Sequence, residues 1–246
     1  GAGKSSVIMV LLRMVETHSG TITLDGIDTR TLKLRDLRAT LGVIPQDSYM
    51  FSGTVRSNLD VDGMYTDKEV WDALEMVDLK CTIKNIEGGA GLDTAVREKG
   101  DNFSTGMVQL MCLARVLLKN PSIILMDEAT ASVDLQTDMI VQSAIRQRFQ
   151  GRTIVTIAHR LQTIIDFDQI LTVDQGKASE MDTPHALLEE GSGIFASLVN
   201  NTGSKSAKEL HARAKRQFEL TNERITELEV LRACGIGKKE INVGYG

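Results

Sequence analysis

Ile123-Ile124-Leu125-Met126-Asp127-Glu128 is the stretch on which the fold turns. Four apolar residues follow Pro121-Ser122 and end in two acids. The length and the absence of polar alternation predict a short strand buried on both faces, as in a parallel sheet. Ligands of open α/β sheets gather at the carboxyl ends of such strands, so Asp127 and Glu128 are delivered where chemistry is done. Two adjacent carboxylates there can divide the work of phosphate hydrolysis, one meeting a bound metal and the other polarising the attacking water. The alternative is that the acids cap the helix that follows.

The first residues supply a context for the acids. Gly1-Ala2-Gly3-Lys4-Ser5-Ser6, continued by Val7, Ile8, Leu11, Leu12 and Val15, is the back half of a phosphate loop opening onto an amphipathic helix. Glycines allow backbone N–H groups to close on phosphate oxygens, and the helix N-terminus favours anions. Lys4 is placed to reach the β- and γ-phosphates and Ser5 to offer its hydroxyl to Mg²⁺. A glycine turn that merely precedes Lys and Ser is the competing reading. The front of the loop and the strand before it are missing from this pattern.

The 246 residues, 42% hydrophobic and 25% charged, suit a globular domain of about 200 residues with an appendage. A net charge of -5 gives no reason to invoke nucleic acid. Cys81, Cys112 and Cys234 lack metal-ligand spacing and suit free thiols in a reducing compartment. No window approaches a membrane span and no signal peptide opens the chain, so the chain itself reads as soluble.

Along the chain, the opening helix is predicted to run to His18-Ser19-Gly20, a strand to cover Thr21 to Leu24, and Asp25-Gly26 to turn a hairpin. A short helix around Leu34 to Leu37 precedes a second buried strand, Leu41 to Ile44, closed by Pro45. Gln46 follows it, placed either to complete a metal's coordination or as a surface glutamine. From Phe51 to Lys119 the pattern is helical: Thr66-Asp67 caps a helix whose Trp71, Leu74 and Val77 share a face, and Gly88 to Gly100 is a glycine-rich loop or hairpin. Asn102-Phe103-Ser104-Thr105-Gly106 opens a helix with Val108, Met111, Cys112, Arg115, Val116 and Lys119 in its stripe. Its start is a second anion site or an ordinary N-cap. A helix from about Gln136 to Phe149 ends at Gly151, and a strand from Thr153 to Ile157 follows whose end delivers His159, catalytic or structural. Ile170 to Val173, a turn at Asp174-Gln175-Gly176 and a segment to Met181 form the last strands, and Thr183-Pro184 opens a helix.

These residues together resemble the nucleotide-binding domain of an ATP-binding-cassette transporter. The stretches Ile44-Pro45-Gln46-Asp47, Phe51 to Leu59 and Asn102-Phe103-Ser104 are similar to the second cassette of the multidrug-resistance-protein (C) subfamily, truncated at its amino end. The resemblance covers about Gly1 to Val199 and implies a P-loop NTPase (RecA-like) α/β fold. Its parallel-sheet core would carry an antiparallel β edge, an inserted α-helical signature subdomain at about 51–120 and, from 201 to 246, a linker and charged helical tail.

The resemblance also implies roles. Gly1, Ala2, Gly3, Lys4, Ser5 and Ser6 stand for the Walker A end and Gln46 for the Q-loop glutamine, and both contact nucleotide. Asp127 and Glu128 are similar to the Walker B pair, with Ser5, Gln46 and Asp127 around Mg²⁺ and Glu128 as general base. His159 corresponds to the switch histidine, Ser132 and Asp134 to the D-loop. Ser104, Thr105 and Gly106 belong to the signature that closes over ATP held by a partner cassette. ATP and Mg²⁺ are therefore the implied cofactors. The implied partners are a second nucleotide-binding domain packed head-to-tail and the transmembrane domains of the same transporter, with the cassette on the cytoplasmic side. ATP hydrolysis driving export is the implied function; a soluble cassette ATPase, or a regulatory or non-functional cassette with little turnover, are the alternatives. One departure is Met107, where the family usually has glutamine; it is expected to serve the loop's own geometry.

Beyond the resemblance, Asn200 to Ser204 reads as a linker and Lys205 to about Leu231 as a helix with Leu210, Phe218, Ile225, Leu228 and Leu231 in one stripe. From Gly203 on, nine Lys and Arg stand against six Asp and Glu. That pattern fits a docked or solvated tail helix, a short coiled coil or a membrane-surface contact.

Overall fold

A computed structural model of the chain describes residues 3–86, 90–127, 141, 144–145, 148–158 and 160–233, with only the backbone at 224 and 226–233. Within these residues two compact units form, one from 8–156 and the other from 3–7 together with 157–233.

In the larger unit, helix α1 (Lys4–Leu11) contributes its second half. It ends well before the expected His18. Arg13 adopts the left-handed conformation (φ 47°), and its guanidinium donates to the carbonyls of Thr29 and Leu32, both at 3.0 Å. Chain reversal is thus set by contacts 16 and 19 residues away. Strands β1 (Thr23–Leu24) and β2 (Ile27–Asp28) pair antiparallel around Asp25-Gly26, both at positive φ, as a tight hairpin with a primed turn requires.

Helix α2 (Leu34–Thr40) feeds strand β3 (Leu41–Ile44). A two-residue strand β4 (Gly53–Thr54), helices α3 (Val55–Leu59), α4 (Asp67–Met76) and α5 (Lys80–Lys84), and strand β5 (Ala95–Val96) follow. Within the glycine-rich stretch before Gly100, Ala95-Val96 pairs antiparallel with Gly53-Thr54, and residues 87–89 lie outside the described set. The start of α4 carries a complete capping box, Thr66 and Glu69 each holding the other's backbone N–H. Its buried face is Val70, Ala73, Leu74 and Val77, with Trp71 at the rim.

Helix α6 (Thr105–Lys119) ends on left-handed Asn120, and strands β6 (Ile123–Asp127) and β7 (Thr153–Ile157) complete the central sheet in the order β3-β6-β7. Strands β3 and β6 are parallel, in register from Leu41↔Ile123 to Ile44↔Met126. Ile44, Ile124 and Leu125 are fully buried. Each such side chain stabilises the fold by about 1.5–3 kcal/mol relative to exposure. Gly42 is required here by space: a Cβ would stand 2.4 Å from Pro121 Cγ and 2.8 Å from Val116 Cγ1. The helix predicted over 136–149 is described as helical at 141, 144, 145 and 148, and the rest of its start lies outside the described residues.

The smaller unit follows β7 with a single-turn helix α7 (Leu161–Ile164), then the antiparallel pair β8 (Ile170–Asp174) and β9 (Lys177–Asp182), whose turn holds Gln175 and Gly176 at positive φ. Helices α8 (Pro184–Glu190), α9 (Ile194–Asn200) and α10 (Ser204–Ala233) complete it. Pro184 opens α8 behind the Thr183 cap, as its fixed φ favours. Glu180 joins the hairpin to α9 by accepting from the N–H groups of Ile194 (2.6 Å) and Phe195 (3.1 Å). The tail helix is docked: Ala207, Leu210 and Ala214 are buried with Ile165, Leu187, Phe195 and Val199. Phe218 lies at the edge, its ring 4.9 Å from that of His185, and the side chains of Leu228 and Leu231 lie outside the described residues. Among the described residues no helix is long and apolar enough to cross a membrane.

Candidate functional site

Register determines what stands at the sheet edge. Because Ile44 is level with Met126, the chain leaves β3 at Pro45 where β6 reaches Asp127. Pro45 has no N–H to continue the ladder, so Gln46 emerges exposed beyond the sheet. Asp127 is half-buried above fully packed Leu125 and nearly buried Met126. Gln46 and Asp127 thus share the carboxyl edge of one parallel pair. Glu128, next in sequence, lies outside the described residues, as do Gly1, Ala2, Ser132, Asp134 and His159.

The loop after Gln46 is clamped from behind. Asn58, 1% exposed on α3, accepts from the N–H of Phe51 (2.8 Å) and donates to the carbonyls of Phe51 (2.8 Å) and Thr54 (3.0 Å). Every polar group of that buried amide is used, which is the condition for burying it. Arg115, from the middle of α6, donates through Nε to the Asn58 carbonyl at 2.7 Å and holds its guanidinium 5.9 Å from the Phe51 ring. Met50 is fully buried between them and the loop that precedes α6: a Cβ on Gly100 would come within 3.1 Å of Met50 Cγ and 3.0 Å of Val108 Cγ2. Only glycine fits there, since φ is also +73°.

Sequence reading missed Asn58 and Arg115. The signal for Arg115 was present: a cation inside a largely apolar stripe requires buried acceptors. Lys119, in the same stripe, repeats the device, donating to the carbonyls of Arg38 (2.7 Å) and Leu41 (2.8 Å) at the opposite end of β3. Burial pushes the Lys119 ammonium below its ordinary range.

The first turn of α6 holds Ser104, Thr105 and Gly106. Ser104 is the N-cap, its Oγ accepting from the Met107 N–H at 3.2 Å, and Ser104 and Thr105 are exposed. Phe103 and Met107 turn inward against the hydrophobic core. Met107 therefore supports the loop from the apolar side. Asn102 ties the approach to this turn by accepting from Arg97 N–H and donating to the Ala95 carbonyl, each at 2.9 Å.

In the other unit, Gly3 sits at φ +92° and the helix starts at Lys4, so the amides of Lys4, Ser5 and Ser6 belong to the open first turn. Lys4 is half-buried; Ser5 and Ser6 are exposed. Ser5 hydroxyl, Gln46 amide and Asp127 carboxylate are all hard oxygen donors of the kind Mg²⁺ takes. Among the described residues no cluster of three His, Cys, Asp or Glu could hold a metal. One carboxylate with neutral oxygens, leaving positions for water and substrate phosphate, is the way Mg²⁺ is bound at phosphoryl-transfer sites.

Comparison with known proteins bears on this arrangement. The profile of the family described as "ABC transporter" matches residues 1–131. "ABC transporter C family member 3" of Dictyostelium discoideum is 47% identical over 222 residues, 90% of this chain and 16% of that protein. "Metal resistance protein YCF1" of Saccharomyces cerevisiae is 47% identical over 203 residues, 82% of this chain and 13% of that protein. A solved "bacterial Atm1-family ABC exporter with ATP bound" superposes with a TM-score of 0.76 at 36% identity, over 82% of this chain and 35% of that one. The chain thus spans less than a fifth of each of these two relatives.

Proposed function

The chain belongs to the ABC transporter family, and from that premise we propose that it binds Mg²⁺ and ATP and hydrolyses the γ-phosphate, as one cassette of a head-to-tail pair that drives export. The cassette is taken to span 1–200, and 201–246 to be an appended helical tail. The observation that carries the reading is the in-register pairing of β3 with β6, which brings Gln46 and Asp127 to one sheet edge. Gly1 to Ser6 would cradle the phosphates, with Lys4 as the cation for the β- and γ-groups. Ser5, Gln46 and Asp127 would hold the metal, which when bound neutralises charge on the phosphates. Glu128 would take the proton of the attacking water and His159 would contact the γ-phosphate. Ser104, Thr105 and Gly106 would present a hydroxyl and open amides to ATP held by the partner cassette, and Ser132 and Asp134 would cross between the two.

The exposed position of Ser104 and Thr105 at the end of a rigid helix supports a role toward a second molecule. Membrane-spanning segments of the transporter would be the other partner, with the cassette on the cytoplasmic side. The test is Glu128→Gln in the intact protein. Loss of a general base lowers turnover by about 10²–10⁴-fold while ATP remains bound. Unchanged phosphate release from that variant would overturn the proposal.

A further inference from the structure

Helix α10 does more than close a hydrophobic surface. The core that buries Ala207, Leu210 and Ala214 also takes in Ile165, fully buried, and packs against Leu161 and Ile164 of α7 and Phe167 just beyond it. One turn after Leu210 along α10, Arg213 donates through Nη2 to the backbone carbonyl of Gln162 at 3.2 Å and forms an ion pair with the Asp166 carboxylate. A single arginine thus holds the middle of α7 and the residue just past its C-cap.

α7 needs such support. It has four residues, none of them fully buried, and its N-cap, Arg160, makes no side-chain capping bond. A single helical turn is unstable without tertiary contacts, because nucleation fixes several dihedral angles for very few hydrogen bonds. Part of its support comes from α10, some fifty residues later in the chain, beside the packing of Leu187, Phe195 and Val199 in the same core. α7 is also where the backbone leaves β7, two residues after His159.

We propose that α10 is a strut for the ATP site, and that Arg213 is a positioning residue that acts on His159 by fixing the segment 160–167. This rests on the reading of His159 given under the proposed function. A strut of this kind makes the tail a control element: a partner or modification that lifts α10 would loosen the exit from β7 and slow hydrolysis without touching the nucleotide. Both bonds leave one nitrogen, Nη2, whose two N–H groups satisfy a carbonyl and a carboxylate together, a task within reach of a lysine ammonium as well.

The experiment compares wild type, Arg213→Ala and Arg213→Lys in the intact protein, by steady-state ATP hydrolysis and by hydrogen exchange of the amides in 161–167. In Arg213→Ala, kcat falls on the order of tenfold, as a displacement at a distance from the chemistry does. KM for ATP stays within about twofold, because nucleotide binding is not the function lost. Amides in 161–167 exchange faster while those of 187–199 do not, and Arg213→Lys recovers most of both losses. Unchanged exchange in 161–167, or faster exchange with kcat intact, overturns the proposal. Should Arg213→Ala fail to fold, Asp166→Asn, which keeps the volume, replaces it under the same criteria. A wild-type protein without ATP turnover would defeat the proposed function instead, and the exchange measurement then decides alone whether Arg213 holds α7.

Discussion

The sheet edge at Gln46 and Asp127 and the first turn of α6 at Ser104 both present polar atoms beside a packed core, but they are held in different ways. Asp127 ends a strand whose preceding residues are buried on both faces and paired in register with β3. Ser104 stands exposed, fixed by one cap hydrogen bond and by Phe103 and Met107 turned inward beneath it. Position at the edge is therefore set by the interior of this chain, whereas the α6 turn is left open to an outside surface. The capping at α4 sharpens the point. There Glu69 returns a bond to Thr66 and closes the helix start, while the equivalent position after Ser104 is Met107, which donates and accepts nothing of that kind from its side chain.

The largest effect should come from cutting the support of the edge. Ile124→Ala removes a fully buried side chain from β6 and should destabilise the larger unit by about 2–5 kcal/mol in denaturant unfolding. A loss below about 1 kcal/mol would mean that the edge is not held by the core as described. Ser104→Ala should cost only about 1 kcal/mol of stability, the worth of an N-cap. Its effect on turnover should exceed its effect on unfolding, and equal effects would remove the distinction between the two regions.

The smallest effect concerns the closed helix start. The Glu69 carboxylate accepts from the Thr66 N–H and hydroxyl, each at 2.7 Å, which holds it below the ordinary 4.5. A depressed carboxyl contributes stability that is present above the unfolded value and is lost as pH falls through the folded one. Below pH 4.5 the wild type should therefore lose stability slightly faster than Glu69→Gln. Parallel pH profiles would show that the capping box contributes nothing measurable.

What the sequence made legible was local. The apolar run at Ile123 identified β6, Pro45 marked the end of β3, Asp25-Gly26 and Gln175-Gly176 marked hairpins, and Thr66, Ser104 and Thr183 marked helix starts. Each depends on residues within a few positions of one another. Long-range contacts were not legible. The early end of α1 depends on Arg13 reaching Thr29 and Leu32, and the clamp on the Gln46 loop spans the 57 residues between Asn58 and Arg115. The docking of α10 rests as much on Ala207 and Ala214, which carry little hydrophobic signal, as on Leu210. In the candidate site, residue types and order were readable from motifs, whereas the common edge of Gln46 and Asp127 required the register of two strands 79 residues apart at Ile44 and Ile123.

The most direct test of the account is ATP binding with and without Mg²⁺, measured for Asp127→Asn beside Glu128→Gln and the wild type in the intact protein. If Asp127 holds the metal and Glu128 the attacking water, Glu128→Gln retains ATP in a Mg²⁺-dependent manner, and Asp127→Asn loses that dependence. An Asp127→Asn protein that still binds ATP with the Mg²⁺ dependence of the wild type would contradict the division of labour at the end of β6.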